Sequence, residues 1–165
     1  MNETRKALKR VVSAGSDGVR VAVAESLTSG SLCAKLGEGE SASEWFAGGV
    51  VAYFTRTKEK LLGLPPGTDP CSSECATHLA DRARRMFDAD VAVSTTGVGG
   101  PDPQDGHAPG TVYLGWATAA GTGARLLRLE GDPEAVLRQT VEQALGLLAD
   151  LAEQAQADGK DRAAS

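Results

Sequence analysis

Two stretches of the chain place reactive groups at short spacing. Glu25-Ser26-Leu27-Thr28-Ser29-Gly30 closes an apolar run, and Tyr53 is followed five residues later by Lys58. A lysine near tyrosine and serine can activate a hydroxyl. If the ammonium is desolvated its pKa falls, and the neutral amine takes the serine proton while the tyrosine relays that proton or holds the lysine. Ser43, on the loop before Trp45-Phe46, is a second nucleophile candidate. From spacing alone the plainer reading is that Lys58, with Arg56 and Lys60, forms a solvated helix face. In the same way, Thr28 or Ser29 reads most simply as a helix cap. Glu25 and Ser26 stand where a strand gives way to a helix, an edge at which open α/β sheets bind ligands.

A third stretch is Thr95-Thr-Gly97-Val-Gly99-Gly100-Pro-Asp-Pro-Gln-Asp-Gly-His107-Ala-Pro-Gly110. It is too long and too rich in glycine for a simple connector. No Gly-Lys-Ser/Thr follows, so it is not a nucleoside-triphosphate loop, and it does not match the dinucleotide fingerprint. Its free amides at Gly97, Gly99 and Gly100 suit an anion or an oxyanion. His107, near its end, could meet a ligand phosphate but as a lone loop histidine reads first as surface polarity. Cys71, Cys75 and His78, spaced four and three apart, would share a helix face. No fourth ligand is close by and Cys71 precedes the helix, so no metal is expected there.

The elements that must position these groups follow from periodicity. A helix is predicted over 3–14, with Leu8, Val11 and Val12 inward and Gly15 as its stop, and a strand over 19–24. A helix carrying Leu32, Cys33 and Leu36 follows, then a loop over 37–43 and a strand over 48–53 that ends on Tyr53. A helix over 56–62, a loop over 64–71, a helix from Ser72 or Ser73 to about residue 87, and a strand over 90–94 come next. Antiparallel strands over 111–118 and 124–130 flank Ala120-Gly-Thr-Gly. The last helix starts with Asp132 as N-cap and Pro133 in first position, and runs to about Gln154. The expectation is one α/β domain over 1–154 with a partly parallel, partly antiparallel sheet covered by helices, and a loose tail over 155–165.

Composition narrows the function classes. The 165 residues carry a net charge of −5 without a Lys/Arg stripe, which argues against nucleic acid and anionic membrane as partners. The start lacks an apolar signal core and no apolar run approaches a membrane span, so a soluble cytoplasmic protein is expected. Three cysteines, an odd number, argue against a disulfide framework.

The order of motifs adds to this. Ala24-Glu-Ser-Leu-Thr28-x-Gly30 is followed by Ser43-x-Trp45-Phe46-x-x-Gly49-x-x-x-Tyr53-x-x-x-x-Lys58-x-x-x-x-Gly63. Gly97-Val-x-Gly-Pro101, Pro109-Gly-Thr-Val112 and Gly131-Asp132 come after. This succession, over roughly residues 5–152, resembles the CinA carboxy-terminal domain family, in its stand-alone form, whose characterised members are nicotinamide mononucleotide deamidases. The resemblance implies a three-layer α/β/α sandwich with a mixed, mostly parallel sheet that self-associates as a homo-oligomer. It implies hydrolysis of a pyridine nucleotide's carboxamide to a carboxylate and ammonia, with no metal and no cofactor. Its serine, tyrosine and lysine cluster would be Ser26, Ser43, Tyr53 and Lys58, either serine being the nucleophile. Glu25, Thr28, Gly30, Gly97, Gly99, Gly100 and His107 would supply substrate contacts.

The chain also departs from that pattern. Ser29-Gly30 stands for Gly-Gly, and His107-Ala108 lies where a lysine is common. Pro133 and Leu137 replace two arginines after Gly131-Asp132, and proline cannot give the bidentate phosphate contact that arginine gives. Arg128 and Arg138 are the nearest basic residues that could compensate.

Overall fold

The first strand alternates valine and alanine, and the two sets meet different layers. In the computed structural model, which describes residues 2–165, Val21 and Val23 pack into one buried cluster and Ala22 and Ala24 into another. The chain runs α1 (Glu3–Ser16), β1 (Val21–Glu25), α2 (Ser31–Gly37), α3 (Ala42–Trp45), β2 (Phe46–Val51), α4 (Thr55–Leu62), α5 (Ser73–Met86), β3 (Val91–Gly97), β4 (Thr111–Thr118), β5 (Gly121–Arg128) and α6 (Pro133–Ala163). The sheet order is β2-β1-β3-β4-β5. β1 pairs in parallel with β2 and β3, while β3–β4 and β4–β5 are antiparallel. Four of the five strands therefore point the same way, and β4 alone is reversed. Helices on both faces complete an α/β/α sandwich.

Side-chain size sets the two layers. On one face Val21, Val23, Val91, Val93, Val112 and Leu114 meet α1 and α6 through Val11, Leu145 and Leu148. Each buried leucine there contributes roughly 1.5–3 kcal/mol. On the other face α5 lies much closer. A Cβ on Gly115 of β4 would stand 2.0 Å from the Ala76 carbonyl oxygen, and Ser94 donates its hydroxyl to that same oxygen at 2.5 Å. Alanines line this face because the backbones leave no room for more.

Several boundaries differ from the periodicity. Gly15 lies inside α1 rather than ending it; its absent side chain admits Trp45, whose Cγ would be 2.4 Å from a Cβ there. Asp17 ends the helix and Gly18, at φ 98°, makes the turn. β2 starts two residues earlier than predicted and ends before Tyr53, and β3 runs on through Gly97. The β4–β5 turn is shorter than predicted, since Thr118 pairs with Gly121. Residues 155–163, expected to be loose, extend α6: they are mostly Ala, Gln, Asp and Lys, and Gln156 and Lys160 both reach the Asp17 carboxylate. Among the described residues no helix is long and apolar enough to cross a membrane.

The parallel strands end at one edge of the sheet. Glu25 pairs with Val51 on one side and Thr95 on the other, so the segments following β1, β2 and β3 leave the sheet side by side. β5 also ends there, which brings the start of α6 to the same edge.

Candidate active site

Lys58 is placed by helix geometry. It and Leu62 are four residues apart on α4, hence on one face, and both are buried. Arg56 and Lys60 point outward, so the solvated-face reading holds for them and fails for Lys58, which is 3% exposed. α4 is fixed at its carboxyl end. His78 Nε2 and Arg82 Nε, both from α5, bond the Leu62 carbonyl at 2.9 and 3.1 Å, and Gly63 turns the chain at φ 64°. Lys58 Nζ donates to the Tyr53 carbonyl at 3.2 Å. Burial pulls the Lys58 pKa below its ordinary 10.5, while the nearby Cys75 thiol and Asp105 carboxylate oppose that shift.

Ser26 follows β1 directly. Its N–H donates to the Thr95 carbonyl at 3.0 Å, which fixes the residue against the end of β3. Its hydroxyl makes no hydrogen bond among the described residues and lines a cleft of about 340 Å³. Lys58, Tyr53, Gly97, Gly99 and Gly100 line the same cleft. The tyrosine meets the lysine through its carbonyl, and the residue is 62% exposed at the rim beside Phe54.

The glycine loop is built for close approach at its base and is open at its tip. At Gly97, φ 150°, a Cβ would stand 2.4 Å from the Thr111 carbonyl oxygen, whereas Gly99 has nothing within 4 Å. Val98 exchanges backbone bonds with Thr111 and Gly110. The N–H groups of Gly99 and Gly100, and that of Leu27 just after Ser26, donate to no acceptor among the described residues. Leu27, Gly99 and Gly100 line the same cleft as Ser26, so three unpaired amides from two segments belong to residues of its wall, and such amides are the donor type that stabilises an oxyanion.

Five expected site residues lie outside the cleft wall. Ser43 is exposed on α3, before β2, whose first residue Phe46 pairs with Val21 at the start of β1. It therefore sits near the opposite edge of the sheet, roughly 15–20 Å away along the strand. Glu25 is buried and turned inward: its carboxylate accepts the N–H groups of Leu32 at 2.8 Å and Cys33 at 2.9 Å, holding the start of α2. Burial, with that carboxylate alongside, pushes the Cys33 thiol up to about 12. Thr28 is buried against Thr95, the two hydroxyl oxygens 2.8 Å apart. Gly30 is the N-cap of α2 in the left-handed region, φ 101°, where neither Thr28 nor Ser29 caps. His107 Nε2 pairs with Asp69 Oδ2 at 2.7 Å and staples the glycine loop to the loop before α5.

The cleft also contains residues that were not expected to be in the site. Asp102, Asp105, Cys71, Phe54 and Leu27 line it, and Pro133 and Leu137 bring the start of α6 into the wall. The length of the loop over 95–110 was the available signal for the two aspartates; Cys71 stands out in the sequence only for its spacing to Cys75 and His78 and not as a cleft residue. A larger cleft, about 620 Å³, opens at the opposite edge between the end of α6 and the β4–β5 turn. Its amine, Lys160, is exposed and paired with Asp17, so it lacks a desolvated base.

Comparison with known proteins agrees with the fold. The model of the family described as the CinA C-terminal domain matches residues 4–152. The chain is 38% identical over 132 residues, 78% of its length and 30% of the relative's, to a CinA-like protein of Frankia casuarinae. A crystal structure of a competence-damaged protein (CinA) superfamily protein from Klebsiella pneumoniae superposes with a TM-score of 0.86 at 28% identity, covering 93% of this chain and 99% of that one. A competence or damage-inducible protein from Enterobacter asburiae gives a TM-score of 0.86 at 30% identity, covering 92% and 99%. The chain spans 24–32% of the length of the curated relatives it matches.

Proposed function

The chain belongs to the CinA C-terminal domain family, and from that premise we propose that it is an amidohydrolase acting on the carboxamide of a nicotinamide nucleotide. Nicotinamide mononucleotide is the reference substrate, converted to nicotinate mononucleotide and ammonia in cytoplasmic pyridine-nucleotide recycling. The observation that carries the reading is the buried amine of Lys58 in the same cleft wall as the Ser26 hydroxyl.

The chemistry follows from that pair. Burial favours the neutral amine of Lys58, which takes the proton from Ser26 Oγ. The alkoxide attacks the amide carbon, and the carbonyl oxygen becomes an oxyanion held by the N–H groups of Leu27, Gly99 and Gly100. Collapse breaks the C–N bond, and Lys58 returns the proton to the leaving nitrogen, which departs as ammonia. Water then attacks the acyl–Ser26 ester, giving one proton to Lys58. The ester bond breaks, Ser26 recovers its proton from Lys58, and the carboxylic acid leaves, giving its remaining proton to solvent to become the carboxylate. Tyr53 positions the amine through its carbonyl.

A second reading is a module that binds such a ligand without turning it over. One observation favours it: the hydrogen bond that Lys58 makes goes to the Tyr53 carbonyl and not to Ser26. Incubating the purified protein with a panel of pyridine nucleotides and amides and measuring ammonia separates the two. Release supports the amidase; tight binding by calorimetry with no release supports the module.

A further inference from the structure

Residues 99–107 follow β3 and run out from the sheet with one polar attachment to the rest of the chain. Five of them, Gly99, Gly100, Asp102, Gln104 and Asp105, line the cleft. Residues 101–106 are exposed, so little packing holds them. Among the described residues, the one hydrogen bond that ties this segment to another part of the fold runs from His107 Nε2 to Asp69 Oδ2 at 2.7 Å.

Both ends of that bond are themselves fixed. On the loop side, Gln104 and His107 exchange backbone bonds at 3.0 and 2.9 Å around Asp105, φ 50°, and Gly106, φ 80°. Two central residues at positive φ make a tight turn of defined shape, so where His107 is held Asp105 is held too. On the other side, Asp69 belongs to the start of α5. The Ser72 hydroxyl donates to its carbonyl at 2.7 Å, and its Oδ1 accepts the Cys71 N–H at 2.9 Å. Thr96 Oγ1 donates to the Pro70 carbonyl at 2.5 Å and ties the same stretch to the end of β3. Burial works against the Asp69 charge, but the bonds from His107 and the Cys71 N–H outweigh it and hold the carboxyl below its usual range. An ionised carboxylate only accepts, so His107 Nε2 carries the hydrogen whether the ring is charged or neutral.

We infer that Asp69 and His107 are positioning residues: their bond holds residues 99–107 at the cleft, and with them Asp105 near Lys58 and the Gly99 and Gly100 amides in the wall. The groups that face Lys58 are Cys75 from α5 and Asp105 from this segment, with Tyr53, Cys71 and Asp102 lining the same cleft. Release of the segment removes the carboxylate that favours the ammonium and displaces two oxyanion donors together. The pair is half-exposed, so its loss costs the whole fold little and the effect is local. The consequence for turnover rests on the amidase reading.

The test compares the full wild-type chain with His107→Ala, His107→Gln and Asp105→Asn. Nitrogen relaxation reads the order of the 99–107 backbone, carbon NMR of the Lys58 side chain follows its titration, and ammonia release from nicotinamide mononucleotide gives kcat and KM. In His107→Ala the order parameters of Gly99, Gly100 and Asp105 are expected to fall below about 0.6. Lys58 should then titrate at lower pH, as expected also for Asp105→Asn. The value of kcat should fall roughly tenfold and KM rise less, because the oxyanion forms only on the way to the transition state. His107→Gln, whose Nε2 can still donate to Asp69, should restore all three. With His107→Ala and Asp105→Asn combined, Lys58 should titrate as in Asp105→Asn alone. A Lys58 titration that is unmoved or raised in His107→Ala overturns the inference, a rise being what removal of a directly acting histidine cation would give. Unchanged order over 99–107, or an unchanged kcat, overturns it as well. The expected NMR changes with no ammonia from the wild type overturn the amidase reading and support the hold of the pair on Lys58.

Discussion

Lys58 gives its ammonium to the main-chain carbonyl of Tyr53, five residues before it, and among the described residues to no carboxylate at hydrogen-bond distance. A buried lysine ordinarily has an acidic partner, because an unpaired buried charge is expensive. Here the carbonyl fixes where the amine sits without fixing its charge. That combination suits a base, which must give up and regain a proton without moving.

The arrangement has a stability consequence. The folded-state pKa of Lys58 lies below the unfolded value of 10.5, so between the two the unfolded chain binds more protons and stability rises with pH. Below both, the folded chain carries a poorly solvated charge. Lys58→Met, which keeps the length and removes the charge, is expected to stabilise by about 1–2 kcal/mol at neutral pH. This is a rise of roughly 2–8 °C in Tm by scanning calorimetry. A fall of that size would show the ammonium to be well paired instead.

The pH profile carries the same signature. If neutral Lys58 is the base, kcat/KM climbs with pH along a limb that reports its pKa in the free enzyme and lies below 10.5. Asp105 raises that pKa, so Asp105→Asn should move the limb to lower pH. A limb that stays in place in Asp105→Asn would separate the titrating group from Lys58.

The two serines should part company. Ser26→Ala is expected to lower kcat by about 10³-fold, within the range for loss of an activated nucleophile. Ser43→Ala, at the other edge of the sheet, should leave kcat and KM of the isolated chain within about twofold. Equal losses in both variants would mean that a second copy brings Ser43 to the cleft, and size-exclusion chromatography across concentrations would then show activity tracking assembly.

Glu25 is expected to matter for folding more than for binding. Glu25→Ala leaves the Leu32 and Cys33 N–H groups without their acceptor in a buried place, at a cost of about 2–4 kcal/mol. Urea unfolding should show that loss, with substrate KM little changed in whatever protein remains folded. A raised KM with unchanged stability would return Glu25 to the binding residues.

The fold was legible where periodicity and caps carry it. Ser72 and Asp132 do cap α5 and α6, and the strand–helix alternation gave the layered sheet. The cleft was half legible: Ser26, Tyr53, Lys58 and the glycines lay in motifs whose order is informative. What the sequence could not show is direction. Glu25 reads as a polar group at a sheet edge, yet it turns inward because α2 starts on Gly30 with no side-chain cap of its own. Gly15 reads as a stop because the bulk it admits, Trp45, is thirty residues away. Asp102 and Asp105 are ordinary loop residues until the loop folds over α4's buried face. Local spacing reports which groups exist; long-range packing decides which of them share a space.

The central claim is that the Lys58 amine drives hydrolysis of a carboxamide in this cleft. The most direct measurement compares ammonia release by the wild-type chain and Lys58→Ala on the same pyridine carboxamide, with matched circular dichroism. The account predicts steady release by the wild type and a fall of about 10²–10⁴-fold in the variant. Release by Lys58→Ala at the wild-type rate, or none by the wild type at high enzyme concentration, would contradict it.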